Sequence, residues 1–275
     1  MSIKISKYNA SGNDFVIFES DSFHNYSNLA RKICNRHKGI GADGLIVIIK
    51  NKSEISNKIS SLILDSNDDK IDFAWDFYNS DGSKADMCGN GSRVAALFAY
   101  ENKIANKNMK FLTGAGIINA EICETNKHQA IVESELTKPV KKAENFSENG
   151  FLWSFYDTGV PHLVTFVKDL NDFNIEVARN LRKKYNANVN FASFKDEILR
   201  VRTYERGVED ETLACGTGMA ACFITGIINF NLQNVVKVMP KSGEILYLRK
   251  NDDKIFFKGA VSHSFDALFY DENEI

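Results

Sequence analysis

The tetrapeptide Cys88-Gly89-Asn90-Gly91 returns in near-identical form as Cys215-Gly216-Thr217-Gly218. Each copy runs directly into small and apolar residues at helical spacing. Ser92-Arg93-Val94-Ala95-Ala96-Leu97 follows the first, and Met219-Ala220-Ala221-Cys222-Phe223 the second. A helix that is hydrophobic nearly all round must be covered on every side. Two such helices, 215 − 88 = 127 residues apart in a chain of 275, call for two separate wrappings. The same feature bears on chemistry. A glycine-rich turn entering a helix leaves backbone N–H groups unpaired, and a thiol placed there has its anionic form favoured, drawing its pKa toward neutrality.

The flanks repeat as well. Gly116 lies 116 − 88 = 28 residues beyond Cys88, and Gly243 lies 243 − 215 = 28 beyond Cys215. Each closes a turn, Thr113-Gly114-Ala115-Gly116 or Pro240-Lys241-Ser242-Gly243, and each half opens with a glycine turn before an apolar strand, at Gly12 and Gly159. This is duplication at domain scale rather than a short solenoid repeat. Strand patterns outnumber helical ones throughout. The expected fold is α/β of the α+β type, with two pseudo-symmetric domains over 1–117 and 118–263. Each is a curved, mixed or antiparallel sheet wrapped around a central helix that starts at a cysteine.

Along the chain, Ile3–Tyr8 and Phe15–Phe18 alternate or run apolar as strands around the turn 9–14. A short amphipathic helix follows over Tyr26–Asn35. The glycine-rich segment 36–44 precedes the strand Leu45–Ile49 instead of opening a helix, so it fails as a dinucleotide loop. A polar hairpin loop is expected over Asp65–Asp72, a strand over Phe73–Tyr78, and the first long helix from Gly91 to between Asn102 and Asn106. Strands are expected through Glu121, over Ala130–Glu135, Leu152–Tyr156 and Leu163–Val167, then a helix over Val177–Tyr185. Strands beginning at Asn188 and spanning 199–206 precede the second cysteine motif. Val235–Met239, Glu244–Leu248 and Ile255–Lys258 complete the chain as short strands.

The net charge of −2 leaves no basic excess to neutralise phosphates, which argues against nucleic acid as a partner. The alternating start and the absence of an 18-residue apolar run argue against a signal peptide or membrane span, and the reading is cytoplasmic. Five cysteines, an odd count with no Cys-x-x-Cys, fit reduced thiols better than a disulfide framework, and no His/Cys cluster has zinc spacing. Disulfide exchange wants cysteines close in sequence or a resolving partner. Acyl transfer wants a histidine base oriented by a third group. A third option uses both cysteines equally: one thiolate removes a proton from carbon and the opposite thiol delivers one to the other face, inverting a stereocentre.

The segments Gly12-Asn13-Asp14-Phe15, Asn79-x-Asp81-Gly82-Ser83, Met87-Cys88-Gly89-Asn90-Gly91, Pro161-His162, Asn188-Val189-Asn190-Phe191, Tyr204-Glu205-Arg206-Gly207 and Glu211-Thr212-Leu213-Ala214-Cys215-Gly216-Thr217-Gly218, in this order, resemble diaminopimelate epimerase across nearly the whole chain. The resemblance implies an isomerase of amino-acid biosynthesis that interconverts LL- and meso-diaminopimelate for lysine and peptidoglycan, without pyridoxal phosphate, metal or other cofactor. It implies a homodimer, an active site in a cleft between pseudo-symmetric domains, and a C-terminal strand, 264–275, returning to the first domain. Carried over by position, Cys88 and Cys215 are the acid–base pair, assisted by His162 and Glu205. Asn13, Asn79, Asn188, Glu205 and Arg206 hold the substrate, with Gly89-Asn90 and Gly216-Thr217 as donors at the two helix starts.

Three positions depart from the family's common pattern. Val160 replaces an asparagine before Pro-His, so a distal contact is lost there or supplied by Asn190. Gly44 replaces a glutamine of some members, and the loop 207–211 is one residue longer. Two rivals stay open on the residues alone: another racemase of the same mechanism, such as a proline racemase-like enzyme, or a thiol redox or binding protein that keeps the fold without catalysis. Which cysteine acts on which stereoisomer is undecided, since both sit in similar dipole fields.

Overall fold

The computed structural model describes residues 2–61 and 71–271. The expected hairpin loop at Asp65–Asp72 therefore lies, but for its last two residues, outside the described residues. The chain forms two compact units, 1–134 with 260–275 and 135–259.

The first unit begins with a hairpin of β1 (Ser2–Ala10) and β2 (Asn13–Ser20), followed by α1 (Ser27–Ile33), β3 (Gly44–Ile49) and α2 (Lys52–Ser61). Then come β4 (Phe73–Asn79), the two-residue β5 (Lys84–Ala85), α3 (Gly89–Glu101), β6 (Asn108–Thr113), β7 (Gly116–Thr125) and β8 (Gln129–Leu136). Strand β3 runs parallel to β2, β4 antiparallel to β3, and β6 parallel to β4. Strands β7 and β8 then meander antiparallel. Because β7 is the register partner of β6, it stays with the first unit, so this unit extends past the boundary expected at residue 117.

Strand alternation sorts the apolar side chains onto two faces. Phe15, Ile17, Ile46 and Ile48 turn toward Val94–Ala99 of α3, whereas Val16, Phe18, Leu45, Val47 and Ile49 cover Ala30 and Ile33 of α1. Every residue of α3 from Gly89 to Ala99 is buried, which is the all-round covering its sequence demands.

The second unit starts with β9 (Val140–Glu148), β10 (Phe151–Asp157), β11 (Pro161–Phe166), a 3-10 turn at Leu170–Asp172 and α4 (Ile175–Tyr185). It continues through β12 (Asn188–Lys195), β13 (Ile198–Glu205), β14 (Asp210–Thr212), α5 (Gly216–Phe230), β15 (Val235–Met239), β16 (Leu246–Asn251) and β17 (Lys254–Tyr270). The pairing scheme is that of the first unit. A hairpin (β10–β11) leads to a parallel neighbour (β12), an antiparallel one (β13), and a strand after the long helix (β15) parallel to β13. The duplication read from the glycines and cysteines is thus a duplication of strand order. Helix α5 is buried at Gly216 and from Gly218 to Gly226. The last residues of β17 pair with β1, from Ser2 opposite Tyr270 to Asn9 opposite Ser262, so residues 260–271 belong to the first unit. Among the described residues no helix is long and apolar enough to cross a membrane.

Candidate active site

Both cysteines occupy the same place in their halves. Cys88 is the N-cap of α3 and Cys215 the N-cap of α5, each with extended backbone angles (φ −148° and −124°). Two glycines in the first turn let the chain swing from a strand-like cap into a helix whose next residues are already buried.

In the first half-site, the Cys88 sulfur accepts from Gly91 N–H at 3.4 Å and lies 3.9 Å from Asn13 Oδ1. Asn90 Nδ2 reaches the same Asn13 oxygen at 3.4 Å, while its own Oδ1 accepts from Arg93 at 2.7 Å. Arg93 is fully buried inside the apolar helix and also donates to Ser11 Oγ at 3.0 Å and to the Ala260 carbonyl at 3.3 Å. Behind Asn13 stands an ionic cluster. Asn13 Nδ2 donates to Asp43 at 2.6 Å, Arg36 bridges Asp14 and Asp43 at 2.8 and 2.7 Å, and Lys7 closes on Asp14 at 2.7 Å. Burial works against the Asp14 carboxylate, but hydrogen bonds and charge from Arg36 and Lys7 outweigh it and hold its pKa down to about 2. Asn79 is exposed at the end of β4, its amide on Ser83 Oγ at 3.0 Å, opposite Gly44 in register. A Cβ on Gly44 would stand 2.6 Å from Phe77 and 2.9 Å from the Tyr78 carbonyl, so this backbone leaves no room for a side chain there.

In the second half-site, Cys215 is 7% exposed and its sulfur lies 3.5 Å from Thr217 Oγ1. That hydroxyl is 3.0 Å from His162 Nε2. His162, on β11, is wholly buried, and burial followed by the nearby Arg206 charge pushes its pKa down to about 3, so the ring is neutral. Asn188, its register partner on β12, accepts from Arg206 N–H at 2.7 Å and brings Nδ2 within 3.3 Å of the ring. The Arg206 guanidinium rests on the Asn186 carbonyl at 3.0 Å. Burial raises the Glu205 pKa although Thr212 Oγ1 donates to it at 2.8 Å.

Asn190 does not supply the contact missing at Val160. It is wholly buried, and its amide is committed to the Leu163 carbonyl at 2.9 Å, His162 Nδ1 at 3.1 Å and Thr203 Oγ1 at 2.8 Å. Sequence reasoning passed over Arg93, Asp43 and Thr203. For Arg93 a signal existed, since a lone cation in an all-apolar helix has to be buried and held. The other two become visible only through strand register.

Among solved structures the chain matches a probable proline racemase from Agrobacterium radiobacter with a TM-score of 0.70, over 99% of this chain and 93% of that one at 12% identity. A phenazine biosynthesis protein of the PhzF family from Bacillus anthracis matches with a TM-score of 0.68, over 98% and 99% of the two chains at 14% identity. The fold is therefore that of the proline racemase-like and PhzF-like proteins, built as two α/β halves.

Within that class, the family model for diaminopimelate epimerase matches residues 5–142 and 154–264. The diaminopimelate epimerase of a Nitratiruptor species is 50% identical over 97% of this chain and 98% of its own length. That of Campylobacter jejuni is 49% identical over 97% and 99%, and that of Helicobacter pylori 46% over 94% and 93%. The chain belongs to the diaminopimelate epimerase family.

Proposed function

We propose that this protein is an isomerase that interconverts LL- and meso-2,6-diaminopimelate by a two-base, two-cysteine route in lysine and peptidoglycan precursor biosynthesis. The observation that carries the reading is the placement of Cys88 and Cys215 as N-caps of equivalent buried helices in a chain of this family. One sulfur, as thiolate, takes the α-proton. The other, as thiol, delivers its own proton to the opposite face, and the two sulfurs exchange protonation states in each turnover. The helix N–H groups at Gly89-Asn90 and Gly216-Thr217 suit the substrate carboxylate and the charge that develops on it. Asn13, Asn79, Asn188, Glu205 and Arg206 hold the substrate's polar ends, Arg206 by its fork geometry. His162 and Glu205 assist thiol deprotonation, His162 as a neutral ring whose Nε2 lies 3.0 Å from the Thr217 hydroxyl beside Cys215.

The same reading makes the enzyme a cytoplasmic homodimer. Leu268 and Tyr270 are 56% and 68% exposed on β17 and project to one face of it, a surface suited to a second copy. Light scattering of the purified protein tests this, a monomer at micromolar concentration being the contrary result. For the activity, reduced protein is incubated with meso-diaminopimelate in D₂O, with proline as the control substrate. Deuterium uptake at the diaminopimelate α-carbon, and none in proline, is expected; exchange of proline alone would transfer the assignment to a proline racemase-like enzyme.

A further inference from the structure

We infer that Asn190 is a positioning residue that fixes the tautomer of His162 and, through it, turns the Thr217 hydroxyl toward Cys215. The inference rests on the functional reading above for its catalytic consequence, but its structural content stands apart. Asn190 Nδ2 lies 2.9 Å from the Leu163 carbonyl, which only accepts, so this atom is the donor end of the amide. The same NH₂ group faces His162 Nδ1 at 3.1 Å. That nitrogen must then be the acceptor, which puts the ring proton on Nε2. The amide has no way to turn over. Its Oδ1 is occupied by Thr203 Oγ1 at 2.8 Å, and inversion would point that oxygen at the Leu163 carbonyl.

Three surroundings support the assignment. Asn190 and His162 are both wholly buried, so bulk solvent does not compete for these hydrogen bonds. A Cβ on Gly218 would stand 2.5 Å from Asn190 Oδ1, so the glycine of the second motif makes room for this amide at the start of α5. Finally, the competing donor, Asn188 Nδ2, faces Nε2 itself but at 3.3 Å, farther than the 3.0 Å of Thr217 Oγ1, which can accept from Nε2–H. The Asn188 amide is anchored by Arg206 N–H, which leaves its NH₂ end for substrate.

With the proton on Nε2, His162 donates to Thr217 Oγ1 at 3.0 Å. The threonine hydrogen is then released to point at the Cys215 sulfur at 3.5 Å, where it stabilises the thiolate. Cys215 receives no backbone cap bond of the kind Gly91 N–H gives Cys88, so this hydroxyl stands in its place, and behind Asn90 the donor is Arg93.

The test is a long-range ¹H–¹⁵N spectrum of reduced, full-length protein labelled at histidine nitrogen, with His162 assigned by loss of its signals in His162→Gln. The wild-type spectrum should show Nε2 protonated and Nδ1 bare, and the reverse pattern would overturn the proposal. Asn190→Asp replaces the donor with an acceptor. It should pull the proton to Nδ1 and lower kcat on the order of 10-fold or more with KM little changed, the scale on which loss of a partner orienting a working imidazole is felt. An Asn190→Asp protein that keeps the Nε2–H pattern, or inverts it with kcat unchanged, also contradicts the inference. If that variant does not fold, the wild-type spectrum alone decides. A wild-type protein inactive on diaminopimelate removes the functional reading and leaves the tautomer measurement intact.

Discussion

Acid should unfold this protein partly through His162, and the contribution is separable. The ring is wholly buried and its pKa is pushed from 6.5 to about 3, by burial first and by the Arg206 charge second. Because the folded-state value is depressed, the unfolded chain binds the proton more readily between these two pH values. The stability held in the neutral ring is present in full above pH 6.5 and is lost as pH falls toward 3. At pH 4.5, two units below the ordinary value and still above the folded one, the loss is about 2.7 kcal/mol at 1.36 kcal/mol per unit.

Urea unfolding of wild type and His162→Gln from pH 7.5 to 4.5 measures this. Asp14, held at about 2, loses stability in the same direction in both proteins, so the difference between them isolates the imidazole. The wild-type advantage should shrink by about 1.4 kcal/mol per pH unit below about pH 6. A difference that stays flat over that range would refute the claim that the ring is neutral because it is buried.

Other consequences follow from the same geometry. Glu205→Gln should leave stability at pH 7.5 unchanged or raised, since burial already disfavours the charged form, while epimerisation falls by about 10²-fold or more on the scale of a lost acid–base group; a variant with wild-type turnover excludes Glu205 from proton transfer. Gly218→Ala forces a methyl to within 2.5 Å of Asn190 Oδ1 and should cost about 1–3 kcal/mol in chemical denaturation, an unchanged midpoint being the contrary result. Cys88→Ala and Cys215→Ala should each nearly abolish inversion of diaminopimelate as followed by chiral chromatography, and substantial turnover by either would contradict the pairing.

Much of the architecture was legible because it is written twice. The paired Cys-Gly-x-Gly motifs mark the N-caps of α3 and α5, and the 28-residue spacing to Gly116 and Gly243 marks matching turns. The apolar runs at Leu45–Ile49 and Val235–Met239 are strands as their residue types require. Less legible were elements with weak patterning. β9, Val140–Glu148, exposes nearly every residue and shows little alternation, and α2, Lys52–Ser61, buries only Ile55, so neither carries a periodic signal. Helix α3 starts at Gly89, two residues before the apolar pattern does, because its first turn is set by the cysteine cap and not by side-chain periodicity.

The site divides in the same way. Residues inside motifs, Cys88, Asn90, Cys215 and Thr217, are placed by the local turn, whereas Asp43 behind Asn13 and Asn190 behind His162 arrive through parallel strand register across 43 − 13 = 30 and 190 − 162 = 28 residues. No local pattern encodes such pairs. Asn190 shows the difference most plainly. In sequence it is one more asparagine available to substrate, and only the Leu163 carbonyl and the His162 ring show that it is already fully engaged.

The central claim, that two cysteines work opposite faces of one carbon, is tested most directly by isotope partitioning at early times. LL-diaminopimelate is converted by the reduced enzyme in D₂O, and deuterium at the α-carbon is followed by mass spectrometry in the substrate and meso pools separately. A two-base enzyme takes the substrate proton on one sulfur and delivers a solvent-derived deuteron from the other. The meso product should therefore be deuterated from the first turnovers while the remaining LL substrate keeps its proton. Deuterium entering both pools equally from the start would show a single base serving both faces and would contradict the account.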